Sequence, residues 1–233
     1  MHISPNKSLK KGILIAIEGI DGAGKTTQVK LLSNKYMGEE FKVTQTKEPS
    51  NGVLGKKIRE IAKNGRSNIT PEYELDLFIK DRKEHVSNVI IPALREKHIV
   101  IMDRYYYSTI AYQGALGIDP AHIKKINEEK FPRPDIVLIL DVSTKVGMSR
   151  ILKGRKEGNN LGFEQEKYLN KVRKVFKGLR DDPIVQEINA TPSIETVFKN
   201  IVNLTDDIIK MHMRGKIGLP KYFERNFKII SSK

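Results

Sequence analysis

The chain of 233 residues contains no cysteine. That absence excludes disulfides, thiolate nucleophiles and cysteine-ligated zinc, and nothing in the composition points to an oxidising compartment. Its five histidines are scattered rather than grouped. No apolar run approaches the roughly 18 residues needed to cross a bilayer, and residues 1–11 are basic and polar, without the apolar core of a signal peptide. The expectation is a soluble protein of the cytoplasm with no membrane partner. Acidic residues are also scarce, 28 Asp and Glu against 42 Lys and Arg, for a formal charge of +14. Such a balance suits polyanionic ligands, either nucleotides or nucleic acid. The positive charge is spread along the chain, and only the end, from Arg214 to Lys233, is clearly biased. Residues 1–211 are expected to form one domain, followed by a basic tail over 212–233 that could act as a contact arm.

What is present begins with Gly19-Ile20-Asp21-Gly22-Ala23-Gly24-Lys25-Thr26, directly after the apolar run Ile13-Leu14-Ile15-Ala16-Ile17. A buried strand, a glycine-rich turn and Lys-Thr at a helix start together make a phosphate-binding loop. The glycines let consecutive backbone N–H groups point inward, and the following helix adds its N-terminal dipole. Lys25 supplies a mobile charge, Thr26 offers a hydroxyl to a magnesium ion, and Thr27 lies beside them. The chain is a nucleotide enzyme or a nucleotide switch.

Beyond the loop the pattern alternates. A helix is expected over Gln28–Tyr36, a strand over 41–46, and a break at Glu48-Pro49-Ser50, with Lys47 and Glu48 at the ligand edge. A helix over 54–63 precedes one opened by Thr70 as N-cap and Pro71 in its first turn. Pro92 is expected to kink that second helix. Phe78 and Arg82, four apart, share one of its faces. They are either a core ring beside a surface charge, or two groups addressing one ligand. Ile99-Val100-Ile101-Met102-Asp103 delivers a carboxylate of the kind that holds magnesium in such enzymes. Arg104 and an aromatic-rich helix over 105–113 follow, and its three consecutive tyrosines could simply be core. Strands over 135–142 and 184–188, with helices over 144–153, 164–180 and 194–211, complete five strand–helix units. Between them, the polar and basic segment from Gly154 to Gly162 has the composition either of a flap closing over phosphates or of an ordinary surface connection.

Taken in order, Glu18 to Gln28, Thr46-Lys47-Glu48-Pro49, Phe78 with Arg82, Asp103-Arg104-Tyr105, Ala111-Tyr112-Gln113-Gly114 and Pro134-Asp135 resemble the thymidylate kinase family of P-loop nucleoside monophosphate kinases, from about Gly12 to Met211. The resemblance implies an α/β P-loop fold of three αβα layers around a five-stranded parallel sheet in order 2-3-1-4-5, with a flexible lid over about 153–164. It implies a homodimer that phosphorylates dTMP with Mg²⁺ and ATP. Lys25, Asp103, Arg104 and a lid arginine would be catalytic, with Thr26 and Asp103 on the metal. Gly19, Gly22, Ala23, Gly24, Lys25, Thr26 and Thr27 would hold ATP, with Arg150 on its adenine. For dTMP, Phe78 would stack on thymine, Arg82 would donate to its carbonyl oxygen, and Thr109 and Gln113 would contact the base. Tyr112 would pack under the deoxyribose and Asp21 would meet its 3′-hydroxyl. Arg59 and Arg104, with Lys47 and Glu48 near the edge, would hold the acceptor phosphate.

The chain departs from the family pattern at Lys47, where many members have arginine, and at Tyr107, where Asp is common. It departs again at Gly22 and Gly162, the two positions that carry the catalytic arginine in different branches. Arg155 is therefore the expected source of that charge. The reading from another class, a nucleic-acid-binding ATPase or regulator, rests on the net charge and the basic tail, since no recognition motif supports it.

Overall fold

Three strands of this protein are near-continuous apolar runs because both faces of the sheet are covered by helices. The computed structural model describes residues 7–64, 69–154 and 163–214. In chain order the described elements are β1 (Ile13–Glu18), α1 (Lys25–Gly38), β2 (Val43–Lys47), α2 (Val53–Asn64), α3 (Pro71–His85), a π turn (Val86–Ile90), α4 (Ile91–Arg95), β3 (Ile99–Asp103), α5 (Tyr106–Gly114), α6 (Pro120–Glu128), β4 (Ile136–Asp141), α7 (Thr144–Gly154), α8 (Phe163–Gly178), a 3₁₀ turn (Leu179–Asp181), β5 (Val185–Asn189) and α9 (Ile194–Met213).

The sheet is parallel, in order β2-β3-β1-β4-β5. Every residue of β1 is buried, as are all but the last of β3 and of β4, whereas the edge strand β2 has no fully buried residue. Register sets the site: Ile17 lies opposite Asp103, and Asp103 opposite Lys47. The carboxyl ends of β1, β3 and β2 therefore finish level. Backbone bonds from Arg104 N–H to the Ile17 carbonyl and from Glu48 N–H to the Asp103 carbonyl carry that alignment into the loops.

The helix starts follow local chemistry. Thr70 caps α3 by accepting from the Tyr73 N–H, with Pro71 next, and Ser193 caps α9 in the same way. Pro92, expected to kink the helix, follows the π turn that joins α3 to α4. A proline cannot donate to the turn before it, and a widened turn absorbs that loss. Helix α6 was not among the expected elements, although Asp119 accepts from the N–H groups of Ala121 and His122 and Pro120 opens the helix. The expected domain end at 211 falls inside α9, which runs to Met213 with His212 buried. Residues 153–154 and 163–164 of the expected lid are helix ends; residues 155–162 and the tail from 215 onward lie outside the described residues.

Candidate functional site

The loop between β1 and α1 turns through three glycines at positive φ: Gly19 (134°), Gly22 (77°) and Gly24 (93°). Gly24 ends the loop in the left-handed region without a capping side chain, so the first N–H groups of α1 face outward for a ligand. At Gly22 a Cβ would stand 2.1 Å from the Gly147 carbonyl oxygen of α7, and at Gly147 it would stand 2.7 Å from the Asp21 carbonyl oxygen. The loop is thus seated on α7, backbone against backbone.

Lys25 lies back across its loop and donates to the Ile20 carbonyl at 2.8 Å. Burial, reinforced by the Arg104 charge, pulls its ammonium down to about 8 despite Asp21, Asp103 and Glu18 nearby. The Thr26 hydroxyl donates to Asp103 Oδ2 at 2.5 Å, so two oxygens from α1 and β3 converge at the mouth of the loop. These groups line a cleft of about 360 Å³ with Lys47, Glu48 and Arg59.

Arg104, at φ 69°, occupies a left-handed conformation that a non-glycine residue adopts only when its surroundings hold it there. Its Nη1 donates to the Gly19 carbonyl and to Ser108 Oγ, and its Nη2 to Asp21 Oδ1 at 2.6 Å and the Tyr112 hydroxyl at 3.3 Å. Burial alone would raise the Asp21 carboxyl, but the charges of Arg104 and Lys25, with hydrogen bonds, hold it below its ordinary range. Beneath Arg104 sits Glu18, fully buried, which accepts from the Tyr105 N–H at 2.7 Å and the Ser108 hydroxyl at 2.5 Å. Burial pushes this carboxyl up to about 7, against the hydrogen bond from Ser108, the Arg104 charge, the Tyr105 N–H and the Lys25 charge. Glu18 was not among the expected site residues. Its signal was present, since a carboxylate ending a buried strand beside a phosphate loop needs partners.

A second, more apolar pocket of about 220 Å³ adjoins the cleft and shares Asp21, Glu48, Pro49, Arg59 and Arg104 with it. Phe78, Arg82, Thr109, Tyr112 and Gln113 all line it. Of the two openings left for Phe78 and Arg82, the structure selects a shared concave site, but Arg82 is also a core residue, 1% exposed. Its Nε donates to Glu48 Oε2, its Nη2 approaches Glu48 Oε2 and donates to Thr109 Oγ1, and its Nη1 donates to Asn127 Oδ1. His85 also faces Glu48, and its other ring nitrogen meets the Thr46 hydroxyl. Arg59 holds the carbonyls of Pro49 and Ser50, which follow a cis Glu48–Pro49 peptide, and Asp81 fixes the N–H and hydroxyl of Ser50. Asp81, His85 and Asn127 support the site from behind and were missed, because each acts on another protein group.

Arg150 reaches away from both clefts, donating to the carbonyls of Ala190 and Thr191. With Ala23, Thr27, Gln28 and Ser193 it lines a third cleft, of about 530 Å³, on the other side of the phosphate loop. Tyr107 does not reach the site at all. It is fully buried, stacks on Tyr106, and donates to Asp182, which also meets Lys124 and Arg133. The departure at Tyr107 therefore alters the packing behind α5 and does not reach the lining of either cleft. Arg155 lies outside the described residues. Among the described residues no helix is long and apolar enough to cross a membrane.

A family model described as thymidylate kinase matches residues 17–201. The chain is 42% identical to a protein named thymidylate kinase from Desulfotalea psychrophila over 200 residues, covering 86% of this chain and 97% of that one. It is 39% identical to a probable thymidylate kinase from Archaeoglobus fulgidus, covering 85% of this chain and 97% of that one. Against a thymidylate kinase of Xylella fastidiosa strain M12 the identity is 38%, covering 89% and 92% of the two chains.

Proposed function

The chain belongs to the thymidylate kinase family, and we propose that its two joined clefts divide the reaction between a phosphate end and a base end. The enzyme phosphorylates dTMP, and ATP is the donor. The observation that carries the division is the sharing of Asp21, Glu48, Arg59 and Arg104 by the phosphate cleft and the apolar pocket. A nucleoside monophosphate laid along this seam has its base against Phe78 and Arg82 and its phosphate before the loop.

In this reading the uncapped N–H groups of α1 and Lys25 hold the donor's terminal phosphates, and the donor base occupies the third cleft beside Arg150. Phosphoryl transfer asks for alignment and neutralised charge and needs no covalent protein intermediate. Lys25 is suited to this, since among the described residues its only hydrogen bond is to a neutral carbonyl that a phosphate oxygen can replace. Arg59, Arg104 and Lys47 hold the acceptor phosphate, Lys47 as a point charge rather than a fork. Tyr112, held near Arg104, crowds the sugar and favours deoxyribose. The Thr26 and Asp103 oxygens suit a magnesium ion, a hard cation that takes one or two protein oxygens and completes its shell with water and phosphate. Bound with ATP, magnesium would neutralise charge on the terminal phosphates. Arg155 supplies the charge that closes over the transferred group. We also propose a homodimer acting in the cytoplasm, as the family resemblance implies.

The test is ADP release, coupled to a second enzyme, across the common nucleoside monophosphates. dTMP is expected to lead and dCMP to trail. Turnover led by a purine monophosphate would refute the assignment of the base end.

A further inference from the structure

The apolar pocket contains a carboxylate that no role given so far requires. Glu74 lies in the first turn of α3, is 1% exposed, and lines the pocket with Gln113, which is equally buried. Gln113 Nε2 donates to Glu74 Oε2 at 3.2 Å, whereas Gln113 Oε1 is buried without a hydrogen-bond partner. A side-chain amide can turn over and exchange its donor and acceptor ends; a carboxylate beside it forbids one of the two orientations, because it only accepts. Glu74 thus pins the NH₂ of Gln113 and leaves its oxygen as the end available to a ligand. The same device recurs one step away: Asn127 Nδ2 is fixed by the Ile123 carbonyl, so that its oxygen faces Arg82.

We propose that Glu74 sets base selectivity by holding the Gln113 amide with its oxygen toward the base, an inference that rests on the pocket taking a pyrimidine monophosphate. Thymine carries an N–H at N3, a donor that matches Gln113 Oε1. Cytosine has a bare acceptor nitrogen there, which would meet the amide oxygen lone pair to lone pair. Arg82 treats the adjacent position in the complementary sense. With Nε, Nη2 and one Nη1 proton committed to Glu48, Thr109 and Asn127, it has one N–H left, for a carbonyl and against an amino group. Glu74 acts on the base through Gln113 in this scheme and is a positioning residue, whose loss should relax discrimination without disabling transfer.

The experiment is kcat/KM for dTMP and for dCMP in the wild type, Glu74→Gln, Gln113→Leu and the double variant. In Glu74→Gln the new amide can donate or accept, so Gln113 is free to turn over. The value for dCMP should rise about tenfold while that for dTMP stays within about threefold, since a group left unpaired in a buried site is what enforces rejection. A structural defect would lower both values and could not improve the poorer substrate. Gln113→Leu should narrow the ratio by lowering dTMP, and in that background Glu74→Gln should change the ratio no further. Both comparisons read a ratio of two substrates on one enzyme preparation, so they hold even where a variant folds only in part. An unchanged ratio in Glu74→Gln, or a further change in the Gln113→Leu background, would overturn the positioning role and leave the proposed function standing. A wild type that used dTMP and dCMP equally would overturn both.

Discussion

Glu18 offers the sharpest physical test, because it joins a buried charge to the conformation of Arg104. Its carboxyl is raised from an ordinary 4.5 to about 7, chiefly by burial. Between those values the folded protein keeps a proton that the unfolded chain has released. Stability from this group is therefore fully present below pH 4.5 and lost as pH rises through 7. At about 1.4 kcal/mol per tenfold change in proton affinity, the loss is roughly 3 kcal/mol. Glu18→Gln removes the titration while keeping an oxygen for the Tyr105 N–H. Urea unfolding of both proteins without nucleotide, at pH 5 and pH 8, should show the variant gaining on the wild type by roughly 2–3 kcal/mol at the higher pH. Neighbouring groups titrate in both proteins, so most of their contribution cancels in the difference. Parallel pH dependences would mean that Glu18 ionises as an ordinary carboxyl, and the account of its burial would fail.

Lys25→Ala and Asp103→Ala should each lower turnover by two or more orders of magnitude, with unchanged far-UV circular dichroism, since both serve charge rather than packing; full activity in either would show the transfer site to be misplaced. Arg155→Ala should lower kcat far more than it raises KM for ATP, the pattern of a contact made mainly in the transition state. Near-normal kcat would move the closing charge to another basic group. Gly22→Ala should lower the melting temperature by several degrees and cost most of the activity, because its φ of 77° and the Gly147 carbonyl both oppose a side chain. Thermal melts and ADP release check both effects.

Five strands and most helices were legible because their physics is local. Apolar runs mark the covered strands, and Thr70-Pro71 states a helix start in two residues. Helix α6 was missed although Asp119-Pro120 says the same thing, because it lies on a connection between strands where no apolar run drew attention. Residues placed by resemblance at the phosphate loop and the apolar pocket do gather there, since a parallel sheet brings strand ends to one edge. The supporting groups were illegible for a different reason. Asp81 is legible only once Ser50 is in view, as Asn127 is only beside Arg82, and those pairings span 31 and 45 residues. Tyr107 is the reverse case: its position suggested the site, but α5 turns it inward to Asp182.

The absence of an arginine in the phosphate loop now has a structural reason. A side chain at position 22 would have to grow from a left-handed residue into the backbone of α7, which approaches so closely only because Gly147 also lacks a Cβ. Two glycines on separate elements are thus matched to each other, and changing one leaves the other still in the way. Seating the loop on α7 also ties it to the helix whose far end, at Gly154, leads into the segment that contains Arg155. A loop braced by backbone contact keeps its N–H groups aimed without help from a ligand, but it has no room for a charge of its own beyond Lys25. The developing charge on a transferred phosphoryl group still needs a cation. A loop without room for it leaves that cation to a residue elsewhere in the chain, and Arg155 is the one we propose.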